Sequence, residues 1–333
     1  MPTIDDVARA AGVGIGTVSR VLNDSPLVSA ALRQRVLAAI ERLGYRPNPV
    51  ARAFASRRTH IIELLVPLFL GPIFLPVLQG IEDAVAEADY TLLVRTVEDR
   101  EDRDRAFERC CARGRSDGAL ALWLVPPAAA VERFAAESFP IVLLNVSHPG
   151  LSSVGVDHDA SARAAVKYCA GLGHERIALV DRPVDTFDPA SPGICEIGYR
   201  EAMSSANLDV RDGYEQKVDL SQTAGSAALG RLLNLAEPPT AVVAASDAQA
   251  IGVVQAARGR GWRVPADISV VGYSDSDYAQ FLGISTIAVP LRELGREAAE
   301  VLLSAIAQPA LMPQTVFRPG QLVPRKTCAP PRA

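Results

Sequence analysis

From Ile61 onward, short β-rich runs alternate with stretches of helical periodicity. The first cycle passes from IIELLVP through YTLLVRT and GALALWLV to IVLLNV, with a helical stretch after each of the first three runs. A second cycle passes from SVGV through RIALV, QKVDL and AVVAA to ISVVGY. This alternation predicts parallel sheets with helices on both faces. Two consecutive cycles predict two similar subdomains with a cleft at the carboxyl ends of their strands.

The first 23 residues have a different pattern, that of two short helices. Thr3 followed by Asp6 is typical of a helix N-cap with an acidic third position. Apolar residues recur at helical spacing as far as Ala11, and Gly12-Val13 forms the turn. The layout is that of a helix-turn-helix, whose second helix enters the DNA major groove, although an ordinary helical hairpin fits the two helices taken alone. The second helix would turn Val18, Val21 and Leu22 inward and Thr17, Ser19 and Arg20 outward.

A third helix is predicted to begin after the N-cap Ser29 and to end at Leu43. Gly44 stands at its carboxyl end and Pro47 lies just beyond. Its apolar side chains would close a small three-helix core, and they are Leu32, Val36, Leu37, Ile40 and Leu43.

The charge distribution favours DNA as the partner of the N-terminal segment. The 333-residue chain has a net charge of −4, yet residues 1–60 contain nine Arg and only four acidic residues. That segment therefore carries +5 and the remainder −9. A basic arm on an acidic body is typical of a DNA-binding protein whose body stays off the DNA. A hydrophobic content of 49% with 22% charged residues indicates globular domains with sizeable cores.

The other motifs favour neither an enzyme, nor a metalloprotein, nor a membrane protein. The five cysteines form no CxxC pair and are expected to be reduced thiols in a cytoplasmic protein. The glycines from Gly12 to Gly16 follow no strand, unlike a dinucleotide loop, and the chain contains neither GxSxG nor HExxH. Asp157-His158-Asp159 is a weak candidate for a metal site, because adjacent side chains rarely converge on one ion. His174 is expected to form structural hydrogen bonds. The apolar run from Ile61 to Pro76 is interrupted by Glu63 and prolines and predicts no membrane span, and the N-terminal helix is no signal peptide.

Several stretches together carry a family resemblance. DVARAAGV, TVSRVLN, Val28-Ser29 and RVLAAIERLGYRPNPVARAF resemble the DNA-binding headpiece of the LacI/GalR repressor family, and the resemblance continues to about Pro330. It implies an α/β protein with an N-terminal all-α helix-turn-helix headpiece and a hinge helix. A two-subdomain, periplasmic-binding-protein-like (type I) core of doubly wound parallel sheets would follow. The implied domains are a headpiece (1–46), a linker with hinge helix (47–60) and an effector-binding and dimerisation core (61–333). The core would divide into an N-subdomain (about 61–156 and 290–318) and a C-subdomain (about 157–289 and 319–330), with crossings near Asp157, Val289–Pro290 and Arg318–Gln321.

The resemblance also implies which residues contact DNA. The hinge helix, Val50 to Ser56, would form when two copies meet in the minor groove, although a plain interdomain linker fits the same residues. The family usually wedges a Leu into the central base step, and Phe54 stands at that position here. Because Gly16 has no side chain, specificity should rest on Arg20, Ile15 and the hinge. The implied DNA-binding residues are Thr3, Ile15, Gly16, Thr17, Ser19, Arg20, Asn23, Ala51, Arg52 and Phe54.

The cleft departs from the family pattern. Cys195 stands where sugar-binding members commonly have Arg, Ser246 where they have Asn, and Ser274 where they have an acid. Arg and carboxylates are the groups that grip vicinal hydroxyls or an anionic group. Their loss implies an atypical effector or replacements such as Arg182 or His148. The implied effector-binding residues are Ile73, Phe74, Trp123, Asn145, Arg182, Cys195, Ser246, Asp247, Ser274 and Asp275.

These features predict a homodimeric transcriptional regulator, most simply a repressor, that binds near-palindromic operator DNA. A small-molecule effector, a carbohydrate or sugar acid on the resemblance, would bind between the subdomains and control DNA affinity. No cofactor and no metal are expected. The tail after Val323 has no leucine heptads, so a dimer is expected rather than a coiled-coil tetramer. The alternative is a soluble small-molecule-binding protein without DNA function, which the basic residues 1–60 disfavour.

Overall fold

The structure is a computed structural model, and it describes residues 2–22, 25, 27–45, 58–68, 74–112, 114–183, 187, 193–309 and 311–332. These residues form two compact units, Met1–Thr59 and His60–Ala333. No helix among them is long and apolar enough to cross a membrane.

The described residues of the first unit form three helices, α1 (Ile4–Ala11), α2 (Ile15–Leu22) and α3 (Ala30–Leu43). The predicted cap of α1 is confirmed: the backbone N–H of Asp6 donates to Thr3 Oγ1, and the backbone N–H of Thr3 donates to Asp6 Oδ2 at 2.9 Å. The predicted glycine ends are also confirmed, since α1 and α3 end at Gly12 and Gly44, both in the left-handed region. Such capping satisfies backbone groups that a helix end leaves unpaired.

Two details predicted for α3 are wrong. Ser29 occupies the N-cap position but its side chain makes no capping hydrogen bond. Leu37 is 50% exposed, and Leu32 lies outside the headpiece core. Val36 and Ala39 are the buried residues of α3 instead. Since successive residues of a helix are about 100° apart, a helix that buries Val36 turns Leu37 well away from the core.

Two arginines of α3 hold the carboxyl end of α1. Arg35 Nη2 donates to the carbonyl of Ala11 at 2.6 Å, and Arg42 Nη2 donates to the carbonyl of Ala10 at 3.4 Å. The last carbonyls of a helix lack intrahelical partners and form the negative end of its dipole. Part of the positive charge of the headpiece therefore stabilises its own fold.

The second unit contains two six-stranded sheets. Their strand orders are β11-β5-β4-β3-β1-β2 and β12-β10-β9-β8-β6-β7, so five strands of each follow the same winding. All pairings are parallel except the antiparallel pair of β10 with β12. The strands are β1 (Ile61–Pro67), β2 (Thr91–Val97), β3 (Gly118–Leu122), β4 (Ile141–Leu144), β5 (Ser152–Asp157), β6 (Ile177–Asp181), β7 (Glu215–Lys217), β8 (Ala241–Ala244), β9 (Ser269–Ser274), β10 (Ser285–Ala288), β11 (Thr315–Pro319) and β12 (Gln321–Val323).

Nine further helices lie among the described residues of this unit. The first sheet and its surroundings contribute α4 (Phe74–Glu87), α5 (Arg100–Cys110) and α6 (Ala128–Glu137). The remainder are α7 (His158–Gly171), α8 (Glu196–Ser205), α9 (Gln222–Leu232), α10 (Asp247–Gly259), α11 (Asp277–Leu282) and α12 (Leu291–Ala307).

The chain passes between the two sheets three times. It leaves the first sheet after Asp157, returns through α12 after Ala288, and leaves again at Gly320 between β11 and β12. The return is marked by α12, which packs against α4 and the first sheet. The family resemblance implies crossings at these places, but the sequence pattern does not reveal the separate elements α11, β10, α12, β11 and β12.

Two strands are shorter than their apolar runs predict. The runs GALALWLV and IVLLNV are extended only as far as Leu122 and Leu144. The next residues, Trp123 and Asn145, have φ angles of 54° and 58°, and this left-handed backbone ends the strand.

His174 has the structural role predicted for it. Its Nδ1 lies 2.9 Å from Thr240 Oγ1, and its Nε2 lies 3.0 Å from Ser269 Oγ and 2.9 Å from the carbonyl of Ala329. The ring therefore ties the C-terminal tail to the turn between α7 and β6.

Helices α4 and α12 meet directly because each has a glycine at the crossing. A Cβ added to Gly80 would overlap the carbonyl of Arg292, and one added to Gly295 would overlap the carbonyl of Val77. The absence of side chains at these two positions allows the two backbones to approach each other closely.

We predict that Gly80→Ala destabilises the core unit by about 1–3 kcal/mol, because the added methyl group forces the two helices apart. Urea unfolding followed by circular dichroism measures the change. Gly171→Ala is the matched control, since its added Cβ meets no heavy atom within 4 Å. Equal unfolding midpoints for the two variants would contradict the prediction.

Candidate DNA-binding surface and ligand cleft

Helix α2 presents an exposed face close to its amino end. Ile15 is 47% exposed, and Gly16 and Arg20 are exposed as well. Residues four apart on a helix are neighbours, so Gly16 and Arg20 share one face. An apolar side chain suits the methyl group of thymine and a guanidinium suits guanine O6 and N7, so this face can read base edges.

Packing of the headpiece does not require glycine at position 14 or position 16. A Cβ added to Gly14 or to Gly16 meets no heavy atom within 4 Å. Thr17 and Ser19, by contrast, are partly buried. The most accessible predicted DNA contacts on α2 are therefore Ile15, Gly16 and Arg20.

The other predicted DNA contacts are placed differently. The Thr3 hydroxyl belongs to the cap of α1 and donates to Asp6 Oδ2 at 2.8 Å. The hinge helix predicted for residues 50–56 lies outside the described residues. The same holds for the predicted contacts Asn23, Ala51, Arg52 and Phe54.

A small cavity lies at the carboxyl ends of strands from both sheets. Its volume is about 20 Å³, room for about one water molecule. Both sheets reverse their strand order beside β1 and β6, and such reversals place ligand clefts at this edge of a sheet. The residues around the cavity are Trp123, Asn145, Val156, His158, Ile194, Ala245, Tyr273, Ser274, Val289 and Leu291.

Three of these residues have left-handed backbone. The φ angles are 54° for Trp123, 58° for Asn145 and 106° for Ser274. Each such residue costs on the order of 1–3 kcal/mol, and such strain clusters at ligand sites. At Asn145 a hydrogen bond offsets part of the cost, because Oδ1 accepts from the backbone N–H of Val156 at 3.0 Å.

His158 and Tyr273 form a polar pair in the cavity. His158 Nδ1 lies 2.7 Å from the Tyr273 hydroxyl oxygen. The other ring nitrogen, Nε2, is buried and has no hydrogen-bond partner in the part of the chain that the structure describes. Burial, together with the smaller effect of the charge of Arg182, lowers the pKa of His158 to about 4. The imidazole is therefore neutral near pH 7.

Asp247 is committed to contacts inside the protein. Its Oδ1 accepts from Thr286 Oγ1 at 2.6 Å, and its Oδ2 accepts from the backbone N–H of Ser276 at 2.7 Å and from Ser274 Oγ at 3.2 Å. Burial raises the pKa of Asp247, while these hydrogen bonds favour its ionised form.

Two further carboxylates near the cleft are held in the same way. Asp181 accepts hydrogen bonds from the backbone N–H groups of Ile194 and Cys195 at 3.0 and 2.9 Å. Asp275 forms an ion pair with Arg325 at 2.6 Å. These carboxylates hold Ile194 and Cys195 beside the end of β6 and Arg325 beside the end of β9.

Comparison with known proteins identifies the family. Residues 3–48 match bacterial regulatory proteins of the lacI family, and residues 166–328 match a periplasmic binding protein-like domain. The chain is 34% identical over 322 residues to the ribose operon repressor of Escherichia coli strain K12. The alignment covers 94% of this chain and 96% of that protein. The chain belongs to the lacI family. It is a DNA-binding transcriptional regulator of this family, as the resemblance implies.

The similarity to solved structures of transcriptional regulators extends over almost the whole chain. The lac repressor dimer bound to operator and the anti-inducer ONPF has a TM-score of 0.86 and 29% identity, covering 98% of this chain and 99% of that one. The complex of the transcriptional regulator CelR with cellobiose has a TM-score of 0.71 and 30% identity, covering 98% of this chain and 100% of that one. The predicted fold class, a helix-turn-helix domain followed by a two-subdomain type I core, is confirmed. These relatives are transcriptional regulators rather than enzymes.

The structure brings three of the ten predicted effector residues to the cavity, namely Trp123, Asn145 and Ser274. Phe74 packs against the main core, and Ile73 lies outside the described residues. The others lie outside the described lining, and they are Arg182, Cys195, Ser246, Asp247 and Asp275. The role of all ten in effector binding stays a prediction.

Two of the predicted effector residues outside the described lining, Cys195 and Ser246, stand at the starts of helices. Cys195 is fully buried, stands at the N-cap of α8, and its thiol has a pKa raised by burial. Ser246 likewise caps α10 by accepting from the backbone N–H of Gln249.

Seven residues around the cavity are absent from the predicted effector set. Five of them stand at or next to the ends of strands, where the alternation pattern already locates the cleft: Val156, His158, Ala245, Tyr273 and Val289. The other two, Ile194 and Leu291, follow from loop geometry, which no local pattern reveals.

We predict that His158→Asn removes a pH-dependent loss of stability. The pKa of His158 is about 4 in the folded chain and about 6.5 in the unfolded one, so the unfolded chain takes up the proton first as the pH falls. The wild type should therefore lose stability relative to the variant between pH 6.5 and pH 4, by up to about 1.4 kcal/mol per pH unit. Urea unfolding at several pH values measures the difference. Values above pH 7 are the internal control, and a difference independent of pH would refute this role of burial.

Proposed function

We propose that this chain is a homodimeric transcriptional repressor that binds near-palindromic operator DNA under the control of a small molecule in the cleft. The proposed domains are the headpiece (1–46), the linker with hinge helix (47–60) and the core (61–333). The proposed site of action is the bacterial cytoplasm, where the DNA is, and we propose no enzymatic activity.

The exposed face of α2 carries the DNA part of this proposal. Ile15, Gly16 and Arg20 are accessible on a headpiece whose segment, residues 1–60, has a net charge of +5. Phosphate contacts by basic residues give affinity, and side chains on the recognition helix give sequence preference. Phe54 is proposed to wedge into the minor groove between two half-sites, as apolar side chains do in other DNA-bending proteins.

Exposed apolar side chains support the dimer. Tyr278 and Phe281 on α11 are 67% and 88% exposed. Leu93 and Val94 are exposed on β2, which is an edge strand. A monomer seldom leaves apolar edge strands and aromatic side chains uncovered. The similar lac repressor structure is that of a dimer bound to operator.

A ligand would act through its differential affinity for two arrangements of the subdomains. The cavity of about 20 Å³ is far below the roughly 300–1,000 Å³ of ligand pockets, so effector binding requires the subdomains to move apart. The names of the similar proteins, a ribose operon repressor and a regulator in complex with cellobiose, make a carbohydrate or its acid the first candidate class.

We predict that Arg20→Ala reduces operator discrimination by about 1–3 kcal/mol, because it removes a guanidinium suited to guanine. Genomic fragments selected on the full chain supply the operator, and titrations against operator and scrambled DNA measure the discrimination. Arg9→Ala is the matched control, since it removes the same charge from α1. If no DNA is selected, the alternative of a small-molecule-binding protein without DNA function is favoured. If Arg20→Ala and Arg9→Ala discriminate operator from scrambled DNA equally well, Arg20 does not read bases.

A further inference from the structure

Phe187 joins the two subdomains of the core away from the three places where the chain crosses between the sheets. It lies between β6, a strand of the second sheet, and α8, which packs against β6. Phe187 is 8% exposed and belongs to a hydrophobic cluster whose other buried members all come from the first sheet and its surroundings. These members run from Leu65 on β1 to Leu143 on β4 and include Phe107 and Phe134. A side chain of the second subdomain is therefore buried in the core of the first.

A hydrogen bond holds the backbone of Phe187 at the same place. Arg103 Nη1 donates to the carbonyl of Phe187 at 3.1 Å. The other edge of this largely buried guanidinium is held by Asp104, whose Oδ1 lies 2.8 Å from both Nε and Nη2. Because a guanidinium is a rigid plane, the contact with Asp104 also orients Nη1 toward the carbonyl. The link between the subdomains thus has an apolar part and a polar part.

Both partners come from the edges of the sheets that border the cleft. Helix α5 begins at Arg100, three residues after β2 ends at Val97, so Arg103 is close to the carboxyl edge of the first sheet. Phe187 follows the end of β6 at Asp181 by six residues, and so comes from the carboxyl edge of the second sheet. In an open parallel sheet these are the edges at which ligands bind. The contact therefore joins the two sides of the cleft.

Separation of the subdomains would withdraw the ring of Phe187 from its cluster. Exposing a buried phenyl ring shifts an equilibrium by about tenfold to a hundredfold. Separation would also break the hydrogen bond from Arg103 and leave a largely buried donor without that partner, which costs further free energy. Both losses fall on the open arrangement, so the contact favours the closed one.

We propose that Phe187 and Arg103 form a latch that holds the two subdomains closed when no ligand is bound. The closed cavity of about 20 Å³ is far smaller than a ligand pocket, so a ligand enters only after this latch is broken. The apparent affinity of the ligand is then reduced by the small fraction of molecules that are open. The regulatory meaning of the latch rests on the proposed function, but the latch itself concerns the core alone.

The reactivity of a thiol placed in the closed cavity measures the latch. Ala245 lines the cavity and is 2% exposed, so Ala245→Cys in the full chain introduces a thiol that iodoacetamide reaches when the subdomains separate. When opening is rare and fast, the labelling rate is proportional to the open fraction. Mass spectrometry of the labelled peptides follows this thiol together with Cys169, a fully buried native thiol that reports unfolding. Neither ligand nor DNA is added.

We expect Phe187→Ala to raise the labelling rate of the introduced thiol about tenfold or more, without the same rise at Cys169. Phe139→Ala is the matched control. It shortens another phenylalanine that packs against the same cluster, but Phe139 lies between α6 and β4 and makes no link to the second sheet through the chain. A rise below about threefold in Phe187→Ala would overturn the latch, because the ring would then stay in its cluster while the subdomains separate. An equal rise in Phe139→Ala or at Cys169 would also overturn it.

The polar part of the latch is tested in the same assay. Arg103→Met removes the hydrogen bond to Phe187 and keeps an unbranched side chain, and we expect about threefold faster labelling. Arg105→Met is the control, since Arg105 is on the same helix and pairs with the exposed Glu101. Equal labelling rates in these two variants would exclude Arg103 from the latch.

The proposed function fails separately from this inference. DNA selection on the unlabelled full chain tests the regulator, and thiol labelling tests the latch. A chain that selects operator DNA but is labelled at the same rate with and without Phe187→Ala refutes only the latch. A chain whose labelling responds as expected but that selects no DNA refutes only the regulator.

Discussion

The geometry of the cleft depends on buried carboxylates that hold several strands and helices together through hydrogen bonds. Asp247 is 3% exposed at the first position of α10, and it accepts hydrogen bonds from Thr286, Ser276 and Ser274. One side chain thus joins the start of α10, the end of β9, the start of α11 and β10. Backbone N–H groups and the positive end of a helix dipole lower the cost of keeping such a carboxylate away from water. Breaking this set of contacts would release the loop that contains Ser274.

Asp181 makes the equivalent connection in the same sheet. It stands at the end of β6 and accepts from the N–H groups of Ile194 and Cys195, which lead into α8. Asp181 is the last residue of β6, and Asp247 follows the end of β8 by three residues. Both carboxylates are therefore close to the edge of the sheet where a ligand would bind, yet both are bound to groups of the protein. The described lining of the cavity includes neither carboxylate and consists of aromatic, aliphatic and neutral polar groups. At the position where the family resemblance implies an Arg, Cys195 offers no charge either.

Local interactions account for what the sequence predicted well. Thr3 and Asp6 are three residues apart, so their reciprocal cap can be read from spacing alone. The alternation of strands and helices predicts parallel sheets, because the spacing of apolar residues within each run indicates by itself whether the run is a strand or a helix. Leu37 was misplaced because spacing leaves the orientation of a helix uncertain by one residue, and Ala39 fills the core instead. The left-handed backbone at Trp123 and Asn145 was not predicted, since the apolar runs continue through both residues. The partners of Asp247 lie up to 39 residues away in sequence, and no local pattern contains them.

The headpiece shows the same distinction between charges used for folding and charges open to a partner. A unit of this size has a small core, formed mainly by Val7, Val18, Val21 and Val36, and is marginally stable without further support. Arg35 and Arg42 supply that support by binding carbonyls at the end of α1, and Arg33 Nη2 donates to the carbonyl of Ser25 at 2.9 Å. Guanidinium groups fixed in this way have lost part of their freedom to approach phosphates. The count of nine arginines in residues 1–60 therefore overstates the charge that can meet DNA. Exposed Arg20 combines accessibility with a place on α2, which is why we propose that sequence preference rests on it.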